Sequence, residues 1–196
     1  MAAMRAGLAC WVVLCLAWAG PACARQIVSE VRLGVLAHDI PVLGSHKESG
    51  ADINADVLFV SPVPDDLVAG VSPTVRWLLT PRPDIGGDLN TAGDTSQLYL
   101  GLIWTATLFG NVLTPGDSVF LDLGLGPAFN NGEISTTDPD RKSLGSHTLF
   151  HGSLDIGYRF DRRYSVSLYY EHSSNGGLAR ENEGLNNAGV RLGLAF

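Results

Sequence analysis

The chain has 196 residues, 45% of them hydrophobic and 17% charged, with 23 Gly, 10 Pro and 3 Cys. That length fits a single domain, and charges are scarcer than the roughly 25% of an ordinary soluble domain. With 20 acidic residues against 13 basic ones the net charge is −7, so the basic footprint of a nucleic-acid binder is missing.

Residues 1–24 read as a secretory signal peptide. Arg5 supplies a positive start, Gly7–Trp18 an apolar stretch too short to span a bilayer, and Ala22-Cys23-Ala24 a small-residue cleavage site. Cleavage after Ala24 removes Cys10, Cys15 and Cys23, so residues 25–196 carry no thiol for a disulfide, a nucleophile or a metal. Loss of Arg5 leaves 12 basic against 20 acidic residues, a net charge of −8.

After Ala24 no apolar stripe recurs at helical spacing. Instead eight segments alternate apolar and non-apolar residues, the period of a strand with one apolar face. In chain order they lie near Glu30–His38, Asn54–Val60, Pro73–Thr80, Ser96–Leu108, Ser118–Pro127, Thr148–Arg159, Tyr164–His172 and Ala188–Phe196. In the fourth, Leu98, Leu100, Leu102, Trp104, Ala106 and Leu108 share a face. In the last, Val190, Leu192, Leu194 and Phe196 oppose Gly189, Arg191, Gly193 and Ala195. A soluble sandwich or lipocalin-like barrel alternates too, but its second face meets water. Here that face is rich in Gly, Ser and Thr, which suits the crowded interior of a small barrel. The sequence therefore predicts an all-β fold, an eight-stranded antiparallel transmembrane β-barrel filling residues 25–196.

The expected connections, about 15, 12, 15, 9, 20, 4 and 14 residues long, alternate long and short as outer loops and periplasmic turns do. Asp161-Arg162-Arg163 reads as a tight periplasmic turn and Asn130–His147 as a polar outer loop. Trp77, Trp104, Tyr99, Tyr158, Tyr169 and Tyr170 are candidates for aromatic girdles.

The chemically suggestive stretch is Tyr169-Tyr170-Glu171-His172-Ser173-Ser174-Asn175-Gly176-Gly177. His172 and Ser174 are two apart, so on a strand both point to one face with roots roughly 6–7 Å apart. That separation lets an imidazole reach a hydroxyl, the arrangement of a Ser nucleophile beside a general base. Their parity is that of Tyr164, Val166, Leu168 and Tyr170, the apolar face, where polar side chains are costly and point to function. Spacing alone leaves open that the strand has ended and both are solvated loop residues. His38, His46, His147 and His151 are scattered without metal spacing.

His172-Ser173-Ser174-Asn175, followed by Asn182-Glu183-Gly184-Leu185-Asn186 and a strand ending in Phe196, resembles the lipid A 3-O-deacylase (PagL) family of acyloxyacyl hydrolase-like outer-membrane proteins. The resemblance implies an outer-membrane serine esterase that hydrolyses an ester-linked acyl chain of lipid A, remodelling lipopolysaccharide in a Gram-negative bacterium. It implies Ser174 as nucleophile and His172 as general base, with Asn175, Asn182 or backbone amides near Gly176 as oxyanion donors. No metal or cofactor is implied, and self-association into a homodimer stays open. The third triad position falls on Asn186, where the family carries Glu; an amide orients an imidazole but does not stabilise imidazolium as a carboxylate does. Glu183 or Glu181 is the nearby substitute, while Glu171 lies on the wrong face. The alternative to an enzyme is a non-catalytic small barrel with a structural or adhesion role.

Overall fold

The computed structural model describes residues 26–42 and 44–196; the expected leader and cleavage site and the three cysteines lie outside the described residues. Eight strands close an antiparallel barrel in sequence order: β1 (Val28–Ala37), β2 (Ala51–Phe59), β3 (Arg82–Asn90), β4 (Gln97–Gly110), β5 (Ser118–Asn130), β6 (Thr148–Phe160), β7 (Tyr164–Ser174) and β8 (Leu185–Ala195). β8 closes on β1, with Glu30 opposite Ala195 and Ala37 opposite Ala188. Both described ends lie at one rim. The segments 38–42, 44–50, 91–96, 131–147 and 175–184 form the opposite, distal rim.

Seven of the eight expected strands are present, and the third is not where the alternation put it. Residues Pro73–Leu79 form a helix, α1, and the third strand is Arg82–Asn90. The expectation of an all-strand chain fails here for a local reason. Ser72 caps the helix by accepting from the Val75 N–H, and Pro73 occupies the first turn, where its missing N–H costs nothing. The expected alternation of loop lengths falls with it, because the segment 60–81 at the rim of the termini is long and 91–96 at the distal rim is short. The helix has a structural use. β3 starts opposite Ile103, so β4 below that point has no partner strand on this side. There Trp77 donates its indole N–H to the Thr105 carbonyl at 2.8 Å, and Trp104 donates to the Leu78 carbonyl at 2.9 Å. The helix thus covers an edge that would otherwise be left bare. The turn at Asp161-Arg162-Arg163 forms as expected, with Asp161 and Arg162 at positive φ.

The barrel is polar inside and apolar outside. Leu33, Val35, Leu98, Leu100, Leu123, Leu125, Leu154, Ile156, Leu168, Val190 and Leu192 line the outer wall, the face a lipid-embedded barrel needs. Inside, Arg32 pairs with Glu30 and Asp155 at 2.9 Å and with Asp122, while Arg191 pairs with Asp155 and, at 3.2 Å, with Asp56. Arg191 also lies 3.7 Å over the Tyr169 ring. Small residues make room for large ones: a Cβ at Gly86 would stand 2.5 Å from the Tyr99 ring, and one at Gly157 2.5 Å from Phe120.

Candidate active site

β7 continues to Ser174, so His172 and Ser174 are strand residues and not loop residues. Their neighbours Glu171 and Ser173 are buried in the lumen, which sends His172 and Ser174 to the outer wall at the distal rim. Register places Asn186 of β8 directly opposite His172. His172 Nε2 lies 3.0 Å from Ser174 Oγ, and His172 Nδ1 lies 2.8 Å from Asn186 Oδ1. A carbonyl oxygen only accepts, so Nδ1 carries the ring proton and Nε2 presents its lone pair to the Ser174 hydroxyl. Tyr170, two residues before His172 on the same face, donates its hydroxyl to the same Asn186 Oδ1 at 2.8 Å.

The segment between β7 and β8 is built around Asn175. Its amide donates to the Leu144 and Glu181 carbonyls at 2.8 and 2.6 Å, and its Oδ1 accepts from the Gly177 N–H at 2.9 Å. The Asn175 N–H donates to Asn182 Oδ1 at 3.1 Å, so both asparagines stand at the edge of the Ser174 site. Gly176 and Gly177 have φ of 65° and 79°, the left-handed region that favours glycine. Beneath this turn, Leu144, Leu149 and Leu185 form an apolar cluster.

Other distal segments staple this one in place. Lys142 pairs with Asp39 at 2.8 Å and donates to the Gly184 carbonyl at 2.8 Å. His38 sits between Asp52 at 2.8 Å and Glu48 at 3.2 Å. Burial pushes the His38 pKa down, but Asp52 and Glu48 outweigh it and lift it to about 9. Burial likewise opposes the charge on Glu48, yet hydrogen bonds from His38, Thr95 and the Lys142 backbone hold it at about 2.

Glu183 is not brought to His172. Its carboxylate pairs with Lys47 at 2.7 Å and accepts from the Ser143 N–H at 2.7 Å. Glu181 faces Arg180 at 4.0 Å on the exposed side. Glu171 points into the lumen, held by Gln97, Asn187 and Tyr169 at 2.7–3.0 Å. Among these candidates, only Asn186 meets the imidazole. No group of three or more metal-ligating side chains is assembled among the described residues.

Two features of the site were not readable from spacing. A hollow of about 400 Å³ lies against Asn175, the residue after Ser174, and is also lined by Pro127, Ser146, Phe150, Leu178 and Ala179. Next to it, Gly152 stands opposite His172 and leaves a notch in the outer wall between Phe150 and Leu154. The signal for both lies in the register of β6 against β7.

The model of the family "Lipid A 3-O-deacylase (PagL)" matches residues 67–195, which include His172, Ser174 and Asn186. The chain belongs to the lipid A 3-O-deacylase family. A crystal structure of the outer membrane enzyme PagL superposes with a TM-score of 0.63 at 19% identity, covering 86% of this chain and 100% of that one. The N-terminal β-barrel domain of Pseudomonas aeruginosa OprF gives a TM-score of 0.49 at 13% identity, covering 87% of this chain and 98% of that domain. No curated protein matches. Family and fold together make the chain an outer-membrane barrel of the lipid A deacylase type, and its apolar wall is the lipid-facing surface.

Proposed function

We propose that the protein is a serine esterase that removes an ester-linked acyl chain from lipid A in the outer leaflet. The observation that carries this reading is the Ser174–His172–Asn186 hydrogen-bonded chain, 3.0 and 2.8 Å long, on the lipid-facing wall at the distal rim. A structural barrel has no use for three linked polar side chains in that place.

In the proposed mechanism the lipid diffuses laterally until its ester carbonyl meets Ser174. His172 Nε2 takes the hydroxyl proton as Oγ attacks the carbonyl carbon. The resulting oxyanion is met by donors of the adjacent turn, the Asn182 amide and the N–H at Gly176, with Asn175 bracing that turn. Collapse breaks the ester bond, and the sugar oxygen leaves with the proton held by His172. Water, activated by the same imidazole, then releases the fatty acid from Ser174. Asn186 keeps the imidazole in the tautomer that each step needs. No cofactor enters these steps. The homodimer left open by the sequence gains no support from the comparisons.

Mass spectrometry of lipid A from cells expressing the protein or Ser174→Ala tests the reading. Loss of one acyl mass in the first and not in the second is the expected result. Unchanged lipid A in both, with the barrel folded in the outer membrane, overturns it and favours the non-catalytic barrel.

A further inference from the structure

Two glycines flank the His172 imidazole, and they stand in different surroundings. On the β6 side Gly152 lies opposite His172 with open space before it. On the β8 side Gly184 immediately precedes Leu185, in a register that pairs Ser173 with Leu185 and His172 with Asn186. There the space is taken. A Cβ built at Gly184 stands 2.5 Å from His172 Cε1, 3.3 Å from Nε2 and 3.4 Å from Nδ1, and these are the three atoms nearest to it. Carbon atoms in ordinary contact are about 3.5–4.0 Å apart, so a methyl group at this position lacks roughly 1 Å of room.

The backbone gives no other reason for glycine here. Gly176 and Gly177, earlier in the same segment, take the left-handed conformation, and Gly184 does not. What the missing side chain leaves free is the space that the imidazole fills.

We propose that Gly184 is a positioning residue of the site, its bare Cα forming a seat against the Cε1 edge of His172. In the ring Cε1 lies between Nδ1 and Nε2, so a push on that edge displaces both nitrogens together. They would leave Asn186 Oδ1, now at 2.8 Å, and Ser174 Oγ, now at 3.0 Å. The backbone behind the seat is tied down from the segment 131–147. Lys142 Nζ donates to the Gly184 carbonyl at 2.8 Å, and is itself held by the Asp39 carboxylate at 2.8 Å and the Ser45 carbonyl at 2.6 Å. The Glu183 N–H donates to the Ser143 carbonyl at 3.1 Å, while its carboxylate accepts from the Ser143 N–H at 2.7 Å. Of the two parts in contact, the free end of the imidazole therefore yields to an added methyl before the chain does.

The inference rests on the esterase reading for its effect on turnover, whereas the seat itself is tested without substrate. Urea midpoints of the detergent-solubilised full-length protein are compared for Gly184→Ala in the wild-type chain and in His172→Ala. Where an alanine displaces nothing, it raises stability by narrowing the unfolded chain. The midpoint should rise in His172→Ala, where the ring is gone, and fall in the wild-type chain. Turnover of purified lipid A in micelles is the second measurement. Gly184→Ala should lower kcat about a hundredfold, the effect of a misplacement of about 1 Å, with KM changed less than about twofold.

Equal midpoint shifts in the two backgrounds overturn the proposal. Failure of Gly184→Ala to fold in both does so too, since the methyl would then meet something other than the ring. With an active wild-type chain, a Gly184→Ala protein that keeps kcat within about threefold also overturns it; a rise in KM at that kcat would place position 184 against the lipid instead. A wild-type chain without turnover defeats the esterase reading alone, because the midpoints still decide whether Gly184 seats the ring.

Discussion

Gly152 offers a perturbation that separates catalysis from folding. It lies on the outer face of β6, opposite His172 and flanked by Phe150 and Leu154. A Cβ built there meets only Leu125 Cδ2, at an ordinary 3.7 Å, so a side chain can start from this position without a backbone clash. Opposed Cβ atoms of paired strands stand about 5 Å apart, so a side chain at 152 would rise beside the imidazole. On the proposed reading, that is where an acyl chain held at Ser174 crosses the wall. A methyl group there displaces roughly one methylene of the chain, about 0.8 kcal/mol, and a leucine roughly three, about 2 kcal/mol. In kcat/KM these are losses of about 4-fold for Gly152→Ala and about 30-fold for Gly152→Leu, with Gly152→Trp more severe. Deacylation rates on lipid A micelles, beside urea midpoints of the same detergent-solubilised proteins, give both quantities. Stability should hold or rise, because a glycine inside a strand is replaced by a residue with less chain freedom to lose. A Gly152→Leu protein that folds and retains kcat/KM within about threefold would refute the reasoning, since the chain would then not pass over position 152.

Other outcomes follow from the same geometry. Asn186→Leu removes the acceptor for Nδ1–H and should lower kcat by about a hundredfold, less than the roughly 10⁴ seen when a triad acid is changed to its amide; Glu183→Gln, whose carboxylate serves Lys47 and Ser143, should leave kcat within about threefold. If the two swap places in a single-turnover assay, Glu183 is the third member. Arg191→Met leaves Asp56 without its ion-pair partner inside the barrel while Asp155 keeps Arg32, and should cost about 3–5 kcal/mol of unfolding free energy. Adding Asp56→Asn should recover part of that loss, and an unchanged urea midpoint for Arg191→Met would refute it. The staple of the distal segments should depend on pH with a definite sign. His38 titrates at about 9 instead of 6.5, so its contribution is complete below about 6.5 and fades as pH rises through 9. Glu48 titrates at about 2 instead of 4.5, so its contribution is complete above about 4.5 and is lost as pH falls through 2. Limited proteolysis of the distal segments should thus be slowest between about pH 4.5 and 6.5 and quicken towards pH 9. His38→Gln should flatten the alkaline limb, and a profile unchanged by that substitution would count against the staple.

Much of the barrel was legible because its wall obeys a two-residue period on the outside. The third strand was hidden for a specific reason: its outward positions include only Ile85 and Leu89 as large apolar residues, and its inward ones are Asp84, Gly86, Asp88 and Asn90. Meanwhile Val75, Trp77 and Leu79 imitate strand alternation within α1, although Ser72-Pro73 carried a readable helix start. A mid-strand arginine such as Arg191 marks a lumen position, but its partners lie on β2 and β6, and no local pattern reveals which carboxylates a closed barrel brings to it. The site divides in the same way. His172 and Ser174 are two apart on one strand, so parity alone puts them on the wall. Asn186 came from counting along a motif, and its contact with His172 needed the register of β8 against β7. The contact of Tyr170 with Asn186 and the place of Gly152 opposite His172 depend on cross-strand neighbours, so neither could be read from the chain.

The filled lumen and the site on the wall belong together. Arg32 and Arg191 tie carboxylates of β1, β2, β5 and β6 across the interior, so an amphiphile with fatty chains has no way to Ser174 through the barrel. It must come from the side, within the membrane. Ser174 lies where β7 ends at the distal rim. In that position the protein holds His172 and Ser174 on the outer wall with Asn186 buried behind them, without a carboxylate among the three. It does so because β7 and β8 run in fixed register below, Lys142 and Glu183 anchor the turn above, and Tyr170 engages the amide from within the wall. A carboxylate at position 186 would carry its own charge into that apolar face, where an unpaired charge is costly. On the proposed reading, the Asn186 carbonyl towards His172 sets the imidazole tautomer without that cost, in exchange for weaker support of the imidazolium during turnover.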